Sequence, residues 1–418
     1  MTPKQSPLDW LKSRAHGACF WALWLGIQIS RPFLALYLST QKNRAKRSLW
    51  AGTPIITLAI CARAERTLGI EADSLVYTTY FTTNDFTFNL SRWNRGPFPW
   101  TRILLPYLVL MWACLRYDRF HFFFDQGILP SRDRCINMDE LRLLHWLGKE
   151  VYFYAYGADV RTRERTQALG EPNCCTECPD PGRACICDTT VANAVRRAQA
   201  ELATATFSMG DMIHYTDGSR NDLHYWPIDL DAEGGARYAP CYLDSGERPL
   251  RIVHAPNHRG FKGTHFLIEA VERLQAAGEA IELVLVERVP NRQALDIYRS
   301  ADIIFDQCLI GFHGYFALEA LAMGKPVMVF IRDPDTYLAN AAECPFVNTP
   351  VSMIETNLRM LMRNRGLLRK LGERGRPYIE KYYSFSAFAA RLAQVYKDVD
   401  NKVGVKMPRL PMPRASAA

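Results

Sequence analysis

One carboxylate, Glu319, interrupts the short apolar helix pattern in HGYFALEALAMGKPV, residues 313–327. Gly314 opens that pattern, Tyr315 follows, and Gly324 with Pro326 closes it before a strand. A helix N-terminus offers unpaired N–H groups and partial positive charge, and a glycine there lets an anion approach the backbone. Glu319 lies too far along the helix to meet that anion, but within reach of sugar hydroxyls attached to it. On spacing alone the run is equally an ordinary β-α-β crossover carrying an exposed Glu. A second stretch separates the two readings. HAPNHRGFKGTHFLIEA, residues 254–270, runs from a strand end through a basic, glycine-containing loop into a helix. There Lys262 supplies an ammonium and Arg259 a planar guanidinium, both suited to a diphosphate, with Gly263 beside the lysine. Asp306 and Gln307 close the strand-like ADIIFDQ and are expected to line the same cleft. A basic loop, a helix N-terminus and a carboxylate in one domain describe a nucleoside-diphosphate site.

The first half carries a different set. In YGADVR, Asp159 and Arg161 end an apolar strand, after Tyr156. They either orient an acceptor hydroxyl or hold their own loop as a local pair. His121, in DRFHFFFDQG, ends another strand, where it is either a cleft group or a core histidine satisfied by its neighbours. NCCTECPDPGRACICD, residues 173–188, places Cys175, Cys178, Cys185 and Cys187 in a polar loop and leaves Cys174 outside the set. CxxC followed by CxC supplies four thiolates to one structural zinc, with free or redox-active thiols as the alternative.

The elements that must position these residues follow a β/α rhythm. ADSLVY, DRFHFFF and KEVYFYAYG read as buried strands, and TPIITLAICARAERTLG as a helix closed by Gly69. WTRILLPYLVLMWACL is apolar enough to suggest a membrane span, but its place before a strand predicts a buried helix in an α/β layer. YWPIDLDAEGG, with Pro, Asp and Gly and no apolar period, is the expected linker. RIVHAP, IELVLVE, ADIIFDQ and PVMVFI then alternate with helices, which implies a second parallel sheet covered on both faces. FSAFAARLAQVYKDV is amphipathic and is expected to pack back across the domains. The fold class is therefore α/β, with two Rossmann-like domains facing a central cleft. The expected divisions are a basic apolar extension over 1–50, an acceptor-side domain over 51–235 and a donor domain over 245–381. A return helix over 382–400 and a disordered basic tail over 401–418 complete the chain.

The net charge of +8 is concentrated at the ends. The first fifty residues hold eight Lys and Arg against one Asp, and the last eighteen hold four against none, which leaves a slightly acidic body. A nucleic-acid-binding domain would be basic on a face of its own, so no nucleic acid is expected as partner. ACFWALWLGIQISRPFLALYL, residues 18–38, is rich in Trp and Phe but divided by Arg31-Pro32. A central Arg costs on the order of 3 kcal/mol in a span, so a helix lying on an anionic membrane leads over one packed on the protein or one that spans. Twelve cysteines and no secretory signal place the chain in a reducing, cytoplasmic setting, peripheral on the inner face of the membrane.

The stretch KGTHFLIEA, the strand and loop ADIIFDQCLIG and the run GYFALEALAMGKPV resemble, in order and spacing, the donor half of the retaining GT-B glycosyltransferases of glycosyltransferase family 4. The N-terminal half resembles the same group more loosely, through GTPIITLAICARAERTLG, which brings Gly52 and Thr53 to the acceptor side, and through KEVYFYAYGADVR. The chain departs from the family at two places: Gly311 stands where the first Glu of a Glu-x7-Glu pair belongs, and Tyr156 where relatives commonly carry His. The resemblance implies transfer of a sugar, with retention, from a nucleotide-diphosphate donor to a lipid-linked or polysaccharide acceptor, with no cofactor required. Lys262, Arg259 and Glu319 would carry the reaction, and Gly263, Asp306, Gln307, Gly314 and Tyr315 would bind the donor. A sugar-nucleotide epimerase or hydrolase, and a silent sugar-nucleotide binder, are the competing expectations.

Overall fold

The computed structural model describes residues 7–40, 44–94, 99–131, 135–183, 185–242 and 248–401. In the first half, strands β1 (Ser48–Ala51), β2 (Ala72–Val76), β3 (Phe88–Asn89), β4 (Arg119–Phe123), β5 (Glu150–Tyr154) and β6 (Ala205–Phe207) form one sheet. Its order is β3-β2-β1-β4-β5-β6, and every pairing is parallel. In the second half, β7 (Leu250–His254), β8 (Ile281–Leu285), β9 (Ile303–Phe305), β10 (Val327–Val329) and β11 (Val347–Asn348) form another all-parallel sheet, ordered β11-β10-β9-β7-β8. Both orders are doubly wound, so each sheet has one place where successive connections leave in opposite directions and open a crevice. That place is between β1 and β4 in the first sheet and between β7 and β9 in the second.

The apolar runs behave as parallel strands should, since β1, β2 and β4 are buried along their whole length. The structure differs from the sequence expectations in three ways. β1 begins at Ser48, inside the segment assigned to the extension, because SLWA is too short to stand out as a strand. The N-terminal helix Pro7–Thr40 continues through Arg31 and Pro32 without a break. The helix Pro99–Arg116 is not a buried layer helix. It buries Tyr107, Leu110, Ala113 and Cys114, but exposes Leu104, Leu108, Met111, Trp112 and Leu115. The basic tail beyond Asn401 lies outside the described residues.

The last helix, Phe385–Asp400, starts on Ser384, whose Oγ accepts from Ala387 N at 3.2 Å, and returns to the first domain. Arg391 donates to Leu223 O at 2.7 Å, Arg220 pairs with Asp398 and Lys46 with Asp400. The innermost contact is a chain of buried hydrogen bonds. Glu65 accepts from Ser48 Oγ at 2.5 Å, Trp50 Nε1 at 2.7 Å and Tyr396 OH at 2.6 Å. Burial pushes the Glu65 carboxyl up and holds His121 neutral. The consistent assignment is that Tyr154 OH donates to His121 Nδ1, and His121 Nε2–H donates to the Tyr396 oxygen.

Tyr396→Phe would strand the His121 N–H and remove one donor from Glu65. A buried unpaired polar group costs about 1–3 kcal/mol, so the variant should melt several degrees lower. An unchanged melting temperature would show that this chain does not fasten the helix.

Candidate functional site

The donor-side residues gather at the β7/β9 crevice. After His254 the chain makes one helical turn, Arg259–Lys262, and Gly263 ends it in the left-handed conformation at φ 71°. A Cβ at Gly263 would stand 2.3 Å from Cys308 Sγ, so only glycine lets this turn pack against the loop after β9. Lys262 is thereby buried, with Nζ 2.5 Å from Asp306 Oδ1. The other carboxylate oxygen, Asp306 Oδ2, accepts from Gly314 N at 2.5 Å, at the start of the helix Tyr315–Ala322. An ammonium and a helix-terminal N–H therefore converge on one two-oxygen anion.

Two residues expected on the donor side are held by other partners. Arg259 does not join Lys262; it is exposed and forms a bidentate pair with Glu287 at 2.6 and 2.8 Å, because its turn points the side chain toward the loop after β8. The Gln307 amide is spent on four backbone groups. Its Nε2 donates to Phe312 O and Phe330 O, and its Oε1 accepts from Leu309 N and Ile310 N. It staples the loop that carries Gly311, Phe312 and His313.

Glu319 is wholly buried and accepts from Asn291 Nδ2 at 2.8 Å and Tyr238 OH at 3.1 Å. Burial, partly offset by these bonds, pushes its carboxyl up to about 7. Tyr238 and Asn291 also line a cavity of about 200 Å³ between the domains, together with Tyr315, Ile56, Arg63 and Thr82. Asn291 N donates to Thr82 O at 3.1 Å across this space, and Tyr315 OH donates to Pro227 O at 3.0 Å. Neither Asn291 nor Tyr238 was singled out by the sequence reading. Tyr238 follows the expected linker, and nothing local marks it.

In the first domain, the β1/β4 crevice is organised by Asp125, four residues beyond His121 and marked by nothing in the sequence pattern. Thr53 Oγ1 donates to Asp125 Oδ1 at 2.7 Å and Tyr156 OH to Asp125 Oδ2 at 2.8 Å. Gly52, at φ 116°, lets the two loops close; a Cβ there would stand 2.3 Å from Gln126 O. The other expected residues are internal. His121 sits mid-strand, fully buried and stacked on Trp50, not at the cleft. Asp159 is a loop clamp that accepts from Tyr156 N and Gly157 N at 2.9 Å and from Phe124 N at 3.3 Å, its carboxyl raised to about 7 by burial first and Asp125 second. Arg161 pairs bidentately with buried Asp211, at 2.9 and 3.0 Å, rather than with Asp159.

The cysteine loop reaches across to the second domain. Cys174 is buried in that domain's apolar cluster beside Cys308 and Leu309, and Glu177 pairs with His265 at 3.4 Å. The hydrogen bond with Cys174 draws the Cys175 thiol down to about 6. Gly182 N donates to Cys187 Sγ at 3.1 Å. Among the described residues no three His, Cys, Asp or Glu side chains are gathered closely enough to hold a metal ion. The zinc set of Cys175, Cys178, Cys185 and Cys187 is thus not assembled as a cage.

No family model and no curated protein sequence matches the chain. Among solved structures, it is similar to sucrose-phosphate synthase from Thermosynechococcus elongatus, with a TM-score of 0.53 and 13% identity over 86% of this chain and 96% of that one. It is also similar to Anabaena HepE in complex with UDP-glucose, with a TM-score of 0.53 and 10% identity over 85% of this chain and 100% of that one. At such identities the likeness is one of fold: two Rossmann-like domains about a cleft, the GT-B arrangement.

The raised carboxyl of Glu319 has a measurable consequence. Its folded value of about 7 lies above its ordinary 4.5, so the native state holds a proton that the unfolded chain has released between those values. The group's contribution is full below pH 4.5 and is lost as pH rises through 7. Glu319→Gln should therefore gain stability relative to wild type at pH 8 compared with pH 5, by an amount on the order of 3 kcal/mol. Thermal melts of both proteins at the two pH values measure it, and a pH-independent difference would contradict the assignment.

Proposed function

We propose that this chain is a glycosyltransferase that moves a sugar from a nucleotide-diphosphate donor to a lipid-linked or polysaccharide acceptor, with retention. The observation that carries the reading is the convergence of Lys262 Nζ and Gly314 N on one anion at the β7/β9 crevice. That pair is suited to charge that grows on a departing diphosphate, which is the main electrostatic demand of such a transfer. A front-face retaining reaction asks for no side-chain base, because the departing phosphate takes the acceptor proton; Tyr156 in place of histidine is compatible with it. Glu319 would hold the donor ribose once Tyr238 and Asn291 turn aside. Asp125, Thr53 and Tyr156 would face the acceptor. Sucrose-phosphate synthase is a sugar-transferring enzyme by name and HepE holds UDP-glucose, which makes UDP the first donor nucleotide to try.

The second reading is a silent sugar-nucleotide binder, favoured by Gly311 in place of the family's first carboxylate. Release of free nucleoside diphosphate only in the presence of acceptor separates transfer from silent binding. Release from donor alone marks an epimerase or hydrolase.

Binding is tested by thermal shift with UDP, GDP, ADP, CDP and TDP at millimolar levels. A nucleotide present at about 100 times its Kd should stabilise by about 2.7 kcal/mol. Lys262→Ala should lower turnover by on the order of 3 kcal/mol in barrier, whereas Glu319→Ala should mainly raise the donor Kd. Absence of any shift across the panel would sink the nucleotide site.

The acceptor proposal includes a peripheral place on the cytoplasmic face of an anionic membrane. Trp21, Leu25, Ile29, Phe33 and Tyr37 are exposed at four-residue intervals on the N-terminal helix. That helix packs on Pro99–Arg116, where Tyr107 OH donates to His16 O at 2.8 Å, so its stripe adjoins a second exposed apolar face. No described helix is long and apolar enough to cross a membrane, which suits a surface that lies on the bilayer. Vesicles containing phosphatidylserine should retain the protein, less so at high salt because each nearby Lys or Arg contributes about 1 kcal/mol. Phe33→Asp combined with Leu108→Asp should release it with donor binding intact. Retention of the double variant would remove the membrane from this proposal.

A further inference from the structure

The two donors of the proposed diphosphate cradle, one ammonium and one backbone N–H, are committed to a carboxylate of the chain itself. Asp306 is 1% exposed and follows β9 directly, so its backbone is fixed by the sheet. Its two oxygens divide between Lys262 Nζ and Gly314 N, each at 2.5 Å. The space is closed around them. A Cβ placed on Gly314 would stand 3.0 Å from Lys262 Nζ and 3.2 Å from Asp306 Oδ1, so ammonium, carboxylate and backbone are in mutual contact. A phosphate oxygen that reaches the same two donors must displace the carboxylate, or sit against it at a cost from like charge in a partly dry site. Arg259 does not relieve this as placed, because the Nε and Nη2 edge of its guanidinium is held by Glu287.

We propose that Asp306 sets the phosphate affinity of the donor site, as an internal anion that competes with the ligand's phosphates for Lys262 and Gly314 N. The inference rests on the nucleotide reading above and adds a threshold to it. A ligand with one weakly charged group gains little from displacing a carboxylate that already satisfies both donors. A diphosphate brings more charge and more oxygens to the exchange. Asp306 thereby weakens every ligand whose phosphates must reach those two donors and leaves a nucleoside, which does not reach them, unaffected, through a group that need not touch the base or the sugar.

The experiment measures Kd for UDP, UMP and uridine with wild type, Asp306→Asn and Asp306→Ser. Both substitutions are uncharged and no larger than Asp, and the second stands in if the first does not fold. Removing the competitor should tighten UDP by about tenfold or more, tighten UMP and leave uridine unchanged. Lys262→Ala in the Asp306→Asn background should abolish the gain. If wild type binds UDP and both variants bind it equally or more weakly, Asp306 merely props Lys262 in place and the inference is wrong. If UDP and the rest of the nucleotide panel bind neither wild type nor the variants, the nucleotide reading falls and this inference falls with it.

Discussion

A parallel strand cannot be joined to its neighbour by a tight turn, and that constraint shapes the whole molecule. Every strand is joined to the next by a crossover, all but β2 to β3 through a helix, so loops of one kind collect at the carboxyl ends of the strands. Where the winding direction reverses, two such loops part and leave a crevice. Lys262 and Asp306 follow β7 and β9 and meet at one reversal; Thr53 and Asp125 follow β1 and β4 and meet at the other. The chemistry is thus placed by topology before any individual contact is considered. Side-chain identity decides only what the crevice does.

Buried charge is the second organising cost. Taking ions out of water is expensive unless each finds a partner of good geometry, and leaving one unpaired costs more than the pair contributes. The structure meets this with Arg161–Asp211 in the first domain and Lys262–Asp306 in the second. The two pairs differ in what surrounds them. Arg161 offers two N–H groups to the buried Asp211 carboxylate, and Gly157 has no side chain to interfere, so the pair reads as internal scaffolding. Lys262–Asp306 lies where the winding of the sheet reverses and recruits the N-terminus of a helix. That distinction is why the same kind of contact is treated as structure in one domain and as a candidate site in the other.

What the sequence disclosed follows from how local each signal is. ADSLVY, DRFHFFF and RIVHAP lie on β2, β4 and β7, because a strand buried on both faces is apolar without regard to its partners. The convergence of Lys262, Asp306 and Gly314 on one crevice was legible as three pieces of cleft lining. The pairing that spends Lys262 on Asp306 was not, since it joins residues 44 apart through loop geometry. Composition misled where it could not report a face. WTRILLPYLVLMWACL is apolar nearly all round, and only the packing shows that Leu110 and Ala113 meet the core while Leu108 and Met111 do not. Likewise Arg161 after Asp159 suggested a local pair, but its true partner, Asp211, stands fifty residues on.

The two domains are not independent bodies joined by a hinge alone. Phe312, from the loop that Gln307 staples, packs so closely on Gly210 of the first domain that a Cβ there would stand 2.0 Å from the ring. His214 and Tyr337 share a hydrogen bond of 2.7 Å across the same seam, and the cysteine loop adds Glu177 against His265. The return helix closes the circuit from behind, with Tyr396 fixed to Glu65. Opening the cleft would have to withdraw the buried Phe312 ring from Gly210 and break two partly exposed pairs, while the rear contacts are buried tyrosine and carboxylate bonds. Motion between the domains is therefore expected to pivot about the return helix. The loop from Gly311 to Gly314, held at one end by Gln307 and at the other by Asp306, lies on the moving side of that pivot. Domain separation and the geometry of the anion cradle are in this way coupled through one short segment of chain.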